Sequence, residues 1–328
     1  MTGYHGQPIL KQPTWTWEVP CYFYAGGMAG ASAGLAYLSE VRGNEVLARR
    51  AWAAALLGIG VSPGLLISDL GRPERFLNML RMFKITSPMS VGSWVLSASG
   101  ATTALAATSI WTGWFPRAGG AARPAAALLG LPLSTYTAAL IANTAVPVWH
   151  ESRRWLPFVF SSGAALSAGA AGVITTPPEH ARPARRLALG AAVFEVVVKQ
   201  LMERRLAEHG EPYRHAAASR FGRVGQLCIA TGASLLAARG GRSRVAAIAG
   251  GALLSGGALS ARWSVYKAGA QSAADPKYTV GPQRAAIDRG DRLGASRRLG
   301  KVRDPSPAIG SPATAPAVVR EQESVARP

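Results

Sequence analysis

The chain has 328 residues, of which 48% are hydrophobic and 16% charged, and 36 Lys and Arg against 17 Asp and Glu give it a formal net charge of +19. A charged fraction far below the roughly 25% of soluble domains argues against a water-soluble surface, and the apolar content excludes a disordered chain. The basic residues form no single stripe, which argues against a nucleic-acid partner and for a polytopic membrane protein.

Apolar windows long enough for the roughly 20 residues that cross a bilayer recur at 19–39, 50–70, 89–113, 124–147, 155–175, 183–203, 221–238 and 243–265. Arg, Pro and Gly gather between them, at Arg49-Arg50, Arg72-Pro73, Arg117 to Arg123, Arg153-Arg154, Arg182-Pro183 and Arg239 to Arg244. These read as connections at the water interface. The predicted fold is all-α, with about eight transmembrane helices joined by short loops. Nothing before Val19 has the form of a cleavable signal peptide, so the first span reads as a retained anchor. Beyond Lys267 the apolar pattern stops and prolines accumulate, as expected of a disordered basic tail over 267–328.

Gly26, Gly30 and Gly34 recur every fourth residue in the first span, and Ser93, Ser97 and Ala101 in the third. Small residues at that spacing let two helices approach closely where lipid offers no hydrophobic drive. Trp15, Trp17, Tyr22, Phe23 and Tyr24 open the first span, where an aromatic belt is expected. An even number of spans puts both termini on one side. Before the last span, 13 Lys and Arg fall on that side and 11 on the other; the remaining 12 lie from Arg262 onward and tip the balance toward cytoplasmic termini.

Unusual polar residues concentrate on the terminus side. Asp69-Leu-Gly-Arg-Pro73 ends span two, Ser87-Pro-Met-Ser-Val-Gly-Ser-Trp94 opens span three, and Pro147-Val-Trp-His-Glu151 ends span four. Gly71 and Pro73 read first as a helix stop. Ser87-Pro88 reads first as an N-cap followed by a helix-opening proline. Asp69 faces the negative end of a helix dipole and needs a partner, for which Arg72 or Arg75 is expected. A structural salt bridge and a proton-handling role stand open for it. The Ser90 and Ser93 hydroxyls can face a cavity, and Tyr136 is a phenol that must find an acceptor or a ligand carbonyl. His150 beside Glu151 is either a solvated loop residue or a relay. In span six, Glu195 and Lys199 stand at i, i+4, as a self-compensating pair or part of a proton path.

Absences narrow the chemistry. His5, His150, His180, His209 and His215 all fall in predicted loops or termini rather than at membrane depth, where axial haem ligands belong. Cys21 and Cys228 are too few and too far apart for a disulfide framework or a cluster site. No P-loop or dinucleotide fingerprint occurs. The expectation is a chain with no haem, no iron–sulfur cluster, no metal and no catalytic centre of its own.

The aromatic start leading into Gly26-Gly27-Met-Ala-Gly30, the Asp-Leu-Gly-Arg-Pro motif, the Ser-Pro-Met-Ser-Val-Gly-Ser-Trp motif, and Tyr136-Thr137 followed by Pro147-Val-Trp149 resemble the NrfD/polysulfide reductase membrane-subunit family. The likeness covers about the first 160 residues. It implies an eight-helix anchor made of two four-helix bundles: an N-terminal bundle with the motif face and quinone site within 1–175, and a second bundle that begins near 155 and occupies 176–266. It further implies exchange of electrons between a quinone or menaquinone pool and a ferredoxin-like iron–sulfur subunit docked on the motif face. A molybdenum-type catalytic subunit lies beyond, in a bacterial plasma membrane. Quinone reduction takes up two protons, so the site needs donors at the quinone oxygens and titratable groups leading to water. On this reading Asp69 and His150 handle protons, and Tyr22, Tyr136, Arg72, Ser90 and Trp94 contact the quinone. Tyr22 stands where some relatives place a histidine, and His150 where many carry asparagine. A secondary transporter is the alternative class, with a site near the midplane of two related halves; a structural anchor without a quinone site is the third.

Overall fold

The computed structural model describes residues 9–70 and 72–288, and within them the fold is all-α. Eight long helices follow one another: α1 (Glu18–Val41), α2 (Glu45–Ser68), α3 (Pro88–Thr112), α4 (Pro116–Ala142), then, after the short α5 (Pro147–Glu151), α6 (Leu156–Thr175), α7 (Arg182–Arg205), and, after the short α8 (Glu211–Arg214), α9 (Ala216–Ala238) and α10 (Arg244–Ala274). A further helix, α11 (Lys277–Asp288), follows. Among the described residues, α2, α4, α6, α9 and α10 are long and apolar enough to cross a membrane. The other three long helices carry their polarity inside the sequence: α1 is bounded by Glu18 and Glu40, α3 is rich in Ser and Thr, and α7 holds Glu195 and Lys199.

Packing sorts the long helices into two sets of four. The first is α1 to α4, in which α1 lies against α2 and α4, and α3 against α4 and α2; the second is α6, α7, α9 and α10, with α9 against α10 and α6 against α7. The sets join chiefly through α1 on α6. Helix ends explain the chain reversals. Ser87 Oγ accepts from Ser90 N at 3.4 Å with Pro88 in the first turn of α3, and Gly113 ends that helix in the left-handed region at φ 72°. Asn44 and Ser243 cap α2 and α10 in the same way. Arg244 donates to the carbonyls of Val173, Ile174 and Thr176 at 3.1, 2.5 and 2.6 Å, satisfying acceptors that the end of α6 leaves open.

Three expectations are corrected. The Arg117 to Arg123 segment is not a loop: α4 begins at Pro116, and Arg123 forms an ion pair with Glu40 of α1. The tail does not begin at 267, because α10 runs on to Ala274 and α11 follows it. This extension is Ala-, Gly- and Ser-rich and has no apolar stripe, but Gly269 lets it close on the Trp149 ring, whose Nε1 donates to Val265 O at 2.9 Å. The rest of the expected tail, 289–328, and Gly71 lie outside the described residues. Of the three α1 glycines at that four-residue spacing, Gly26, Gly30 and Gly34, only Gly30 meets another backbone among the described residues. A Cβ there would run into the Gly130 carbonyl of α4, whereas Gly34 has nothing within 4 Å.

Gly30→Leu is therefore expected to destabilise the first bundle by about 1–3 kcal/mol or more through overpacking. Gly34→Leu should leave thermal unfolding in detergent unchanged; equal behaviour of the two would refute this packing assignment.

The second bundle has a charged clasp outside the membrane segments. Lys277 Nζ lies 2.5 Å from Glu211 Oε2, and His215 Nε2 is 3.7 Å from Oε1. The hydrogen bond from Lys277 holds the Glu211 carboxyl below its ordinary 4.5. A depressed carboxyl contributes stability above its unfolded value and loses it as pH falls through the folded one. Amide exchange over 277–282 should thus accelerate only when pH drops below the carboxylate range, and Glu211→Gln should show the fast exchange already at neutral pH.

Candidate functional site

The ends of α1, α2, α3 and α4 that carry the motifs enclose a narrow cavity of about 80 Å³. Trp15, Val19, Tyr22 and Phe23 supply one wall, Leu66, Asp69 and Leu70 a second, Met79 and Met89 the mouth, and Ser93, Tyr136 and Leu140 the remainder. Tyr22 is 2% exposed and its hydroxyl has no hydrogen-bond partner among the described residues. Its ring meets that of Tyr136 edge-on, with centroids 6.5 Å apart and planes at 66°. Gly92 makes room for the second phenol: a Cβ on it would enter the Tyr136 ring. Two phenols, one carboxylate and one hydroxyl thus converge on an otherwise apolar slot.

Asp69 is the C-cap of α2, and its partner differs from the expected one. Oδ1 accepts from Thr16 N at 3.2 Å and from Thr16 Oγ1 at 3.3 Å. Thr16 in turn donates from Oγ1 to Glu18. The carboxylate therefore ties the segment before α1 to the end of α2. Arg72 is exposed and forms no ion pair among the described residues; the Arg75 side chain lies outside them. The 3-10 helix Pro73–Leu80 brings Met79 to the cavity, and a loop runs from it to α3.

Four of the seven predicted residues stand apart from the cavity. Arg72 points to solvent. Ser90 is engaged elsewhere: its hydroxyl donates to Met82 O and accepts from Lys84 N, both at 3.0 Å, and so pins the loop before α3. Trp94 is 41% exposed and packs edge-on against Phe83 of that loop, with centroids 6.2 Å apart. His150 is exposed, because its neighbour Trp149 takes the inward direction. Trp149 stacks on Trp15 at 5.6 Å and 24°, and the Tyr266 hydroxyl donates to Trp15 O. One wall of the cavity is thereby braced by α10 of the other bundle.

Sequence reading gave the tryptophans and glycines a cavity-shaping role, as Trp15 and Gly92 have, but missed Met79 and the contact of Gly92 with Tyr136. Methionine carries no polar signal, and Gly92 reveals its use only when Tyr136 lies against it. A wider groove of about 720 Å³ opens at the opposite end, among Leu38, Arg42, Asn44, Leu131 and Pro183, and contains none of the predicted residues.

No curated protein matches the chain in sequence. The family model described as polysulfide reductase, NrfD_2, matches residues 1–274. That span takes in every long helix, the four motifs and the cavity they enclose. The chain belongs to the NrfD/polysulfide reductase family, whose members are membrane subunits of oxidoreductase complexes.

Proposed function

We propose that this chain is the quinone-reactive subunit of such a complex, in the plasma membrane of a bacterium and with its termini cytoplasmic. The observation that carries the reading is the convergence of Tyr22, Tyr136, Ser93 and Asp69 on one apolar slot. A quinone head is a flat apolar ring with two carbonyl acceptors, and the slot offers apolar walls with phenol donors. The buried Tyr22 hydroxyl, unpartnered among the described residues, gains an acceptor when a quinone oxygen reaches it. The slot is smaller than the 300–1,000 Å³ of usual ligand pockets. Entry thus requires the mouth to yield, and Met79 and Met89 are unbranched side chains suited to that.

Each residue then has a defined task. Tyr22 and Tyr136 donate to the quinone oxygens, while the Ser93 hydroxyl, which donates to Ser90 O at 2.9 Å, faces the slot as an acceptor. Asp69 exchanges protons with water at the mouth. Trp15, Phe23 and Leu66 hold the ring and exclude water. Electrons pass to or from a ferredoxin-like iron–sulfur subunit on the motif face, with a molybdenum-type subunit beyond it. The chain supplies the quinone, as exchangeable substrate, with a place to react, and borrows its redox centres.

Mild extraction of the tagged chain should recover an iron–sulfur protein together with quinone-linked turnover, and Tyr136→Phe should lower that turnover roughly tenfold through the lost donor. Recovery without any iron–sulfur partner, or turnover indifferent to Tyr136→Phe, would sink the reading.

A further inference from the structure

The second bundle buries three charged side chains at one level. Glu195 and Lys199 of α7 and Arg262 of α10 are 1%, 6% and 2% exposed. By helical rise Glu195 lies about 15 Å from the Arg205 end of α7 and about 20 Å from the Arg182 end. The Arg262 guanidinium donates to the carbonyls of Val159 and Phe160 at 3.2 and 2.8 Å and lies 4.2 Å from the Phe160 ring centroid. Gly163 of α6 is where it meets the carboxylate: a Cβ there would lie 3.3 Å from Glu195 Oε2 and collide with Arg262 Nη2. Yet neither oxygen of Glu195 accepts a hydrogen bond from any described residue. Gly225, Gln226 and Ile229 of α9 line the hollow beside it and Gly163 of α6 lies against its carboxylate, all uncharged, so among the described residues Arg262 and Lys199 are the charges that act on it.

Burial in an apolar bundle and the two neighbouring cations act on the carboxyl in opposite senses. A route outward exists along one face of α7. Glu195, Lys199 and Glu203 repeat at i, i+4, i+8, about 6 Å of helix per step. Lys199 Nζ and Ser264 Oγ flank Gly222, each 3.1 Å from where a Cβ would stand. A hollow of about 10 Å³ lined by Glu195, Lys199 and Gln226 is at the threshold for one water. The ladder ends beside a cleft holding Glu151, Arg153, Arg205 and His209, at the motif end of the molecule. Toward the other end the buried face of α7 is Ala192, Ala191, Ala188 and Ala184, none of which can carry a proton.

We propose that the second bundle contains a buried proton-exchange site, with Glu195 as the proton holder and Lys199 as the relay to Glu203 and to water on the motif face alone. Lys199 gives an N–H proton to a Glu195 oxygen and takes one from Glu203, which is reprotonated from water; no electron moves. The site is separate from the quinone cavity and does not depend on it.

Infrared difference spectra of the full chain in lipid nanodiscs test this. A protonated-carboxyl C=O band should appear as pH falls, shift in D2O and vanish in Glu195→Gln. Lys199→Met should keep the band but slow its deuterium exchange by roughly a hundredfold, the low end for losing a positioned proton carrier. Arg262→Gln should enlarge the band at a given pH by removing a cation. Should Glu195→Gln fail to reach the membrane, Glu195→Asp keeps the acid in a displaced position and must move the band. A spectrum with no such band, a band that neither Glu195 variant alters, or unchanged exchange in Lys199→Met overturns the proposal.

Discussion

Asp69→Asn is expected to lower quinone-linked turnover of the intact complex by roughly a hundredfold or more, the effect of removing a general acid–base group, with little change in quinone affinity. The substitution is selective because of what Asp69 does structurally. Its Oδ1 accepts from Thr16 N and Thr16 Oγ1, and an asparagine Oδ1 can accept both bonds. The tie between the segment before α1 and the end of α2 should survive while the capacity to exchange a proton is lost. Asp69→Ala removes both, so it should reduce turnover and also loosen the cavity wall that Trp15 forms. Parallel measurement of turnover and of quinone-analogue binding separates the two roles. Full turnover in Asp69→Asn would remove Asp69 from the proton route and leave it a structural cap.

The helices were legible because the signal is local. A bilayer demands about 20 apolar residues at a stretch, and Arg, Pro and Gly interrupt them at the interfaces. The polar lining of the cavity was legible for a related reason: few side chains in such a sequence can donate or titrate, so Tyr22, Asp69 and Tyr136 stood out. What escaped was set by contacts across long sequence separations. Arg72 is three residues from Asp69, but the carboxylate found Thr16, which the fold brings from 53 residues away. Trp149 and His150 are neighbours on a single turn, and nothing local tells which one turns inward. Gly30 and Gly34 are equivalent in the repeat and differ only in what α4 places against them.

Arg262 is the instructive case. Counted by position it belongs to the basic end of the chain, where it helps tip the charge balance toward cytoplasmic termini. In the fold it is buried over Phe160 with its donors on α6 carbonyls. The long apolar body of an arginine lets it sit inside a bundle that supplies backbone acceptors. Charge arithmetic that treats every Lys and Arg as a loop residue therefore overcounts that side by two, Arg262 and the likewise buried Lys199.

Tyr22→Phe is expected to make the protein more stable and the site worse. The Tyr22 hydroxyl is buried with no partner among the described residues, and a buried unsatisfied group costs about 1–3 kcal/mol that its deletion returns. Ring packing is kept, since the edge-on contact with Tyr136 and the neighbouring Phe23 involve only the aromatic carbons. Quinone affinity should fall roughly two- to tenfold, the worth of one hydrogen bond. Thermal unfolding without quinone and titration with a quinone analogue measure the two effects. A purely structural phenol would predict neither a gain in stability nor a loss of affinity. A gain without a loss would mean that the ligand never reaches Tyr22. Opposite signs in the two measurements are the signature of a donor kept unpaired for a ligand, at the expense of the fold that holds it.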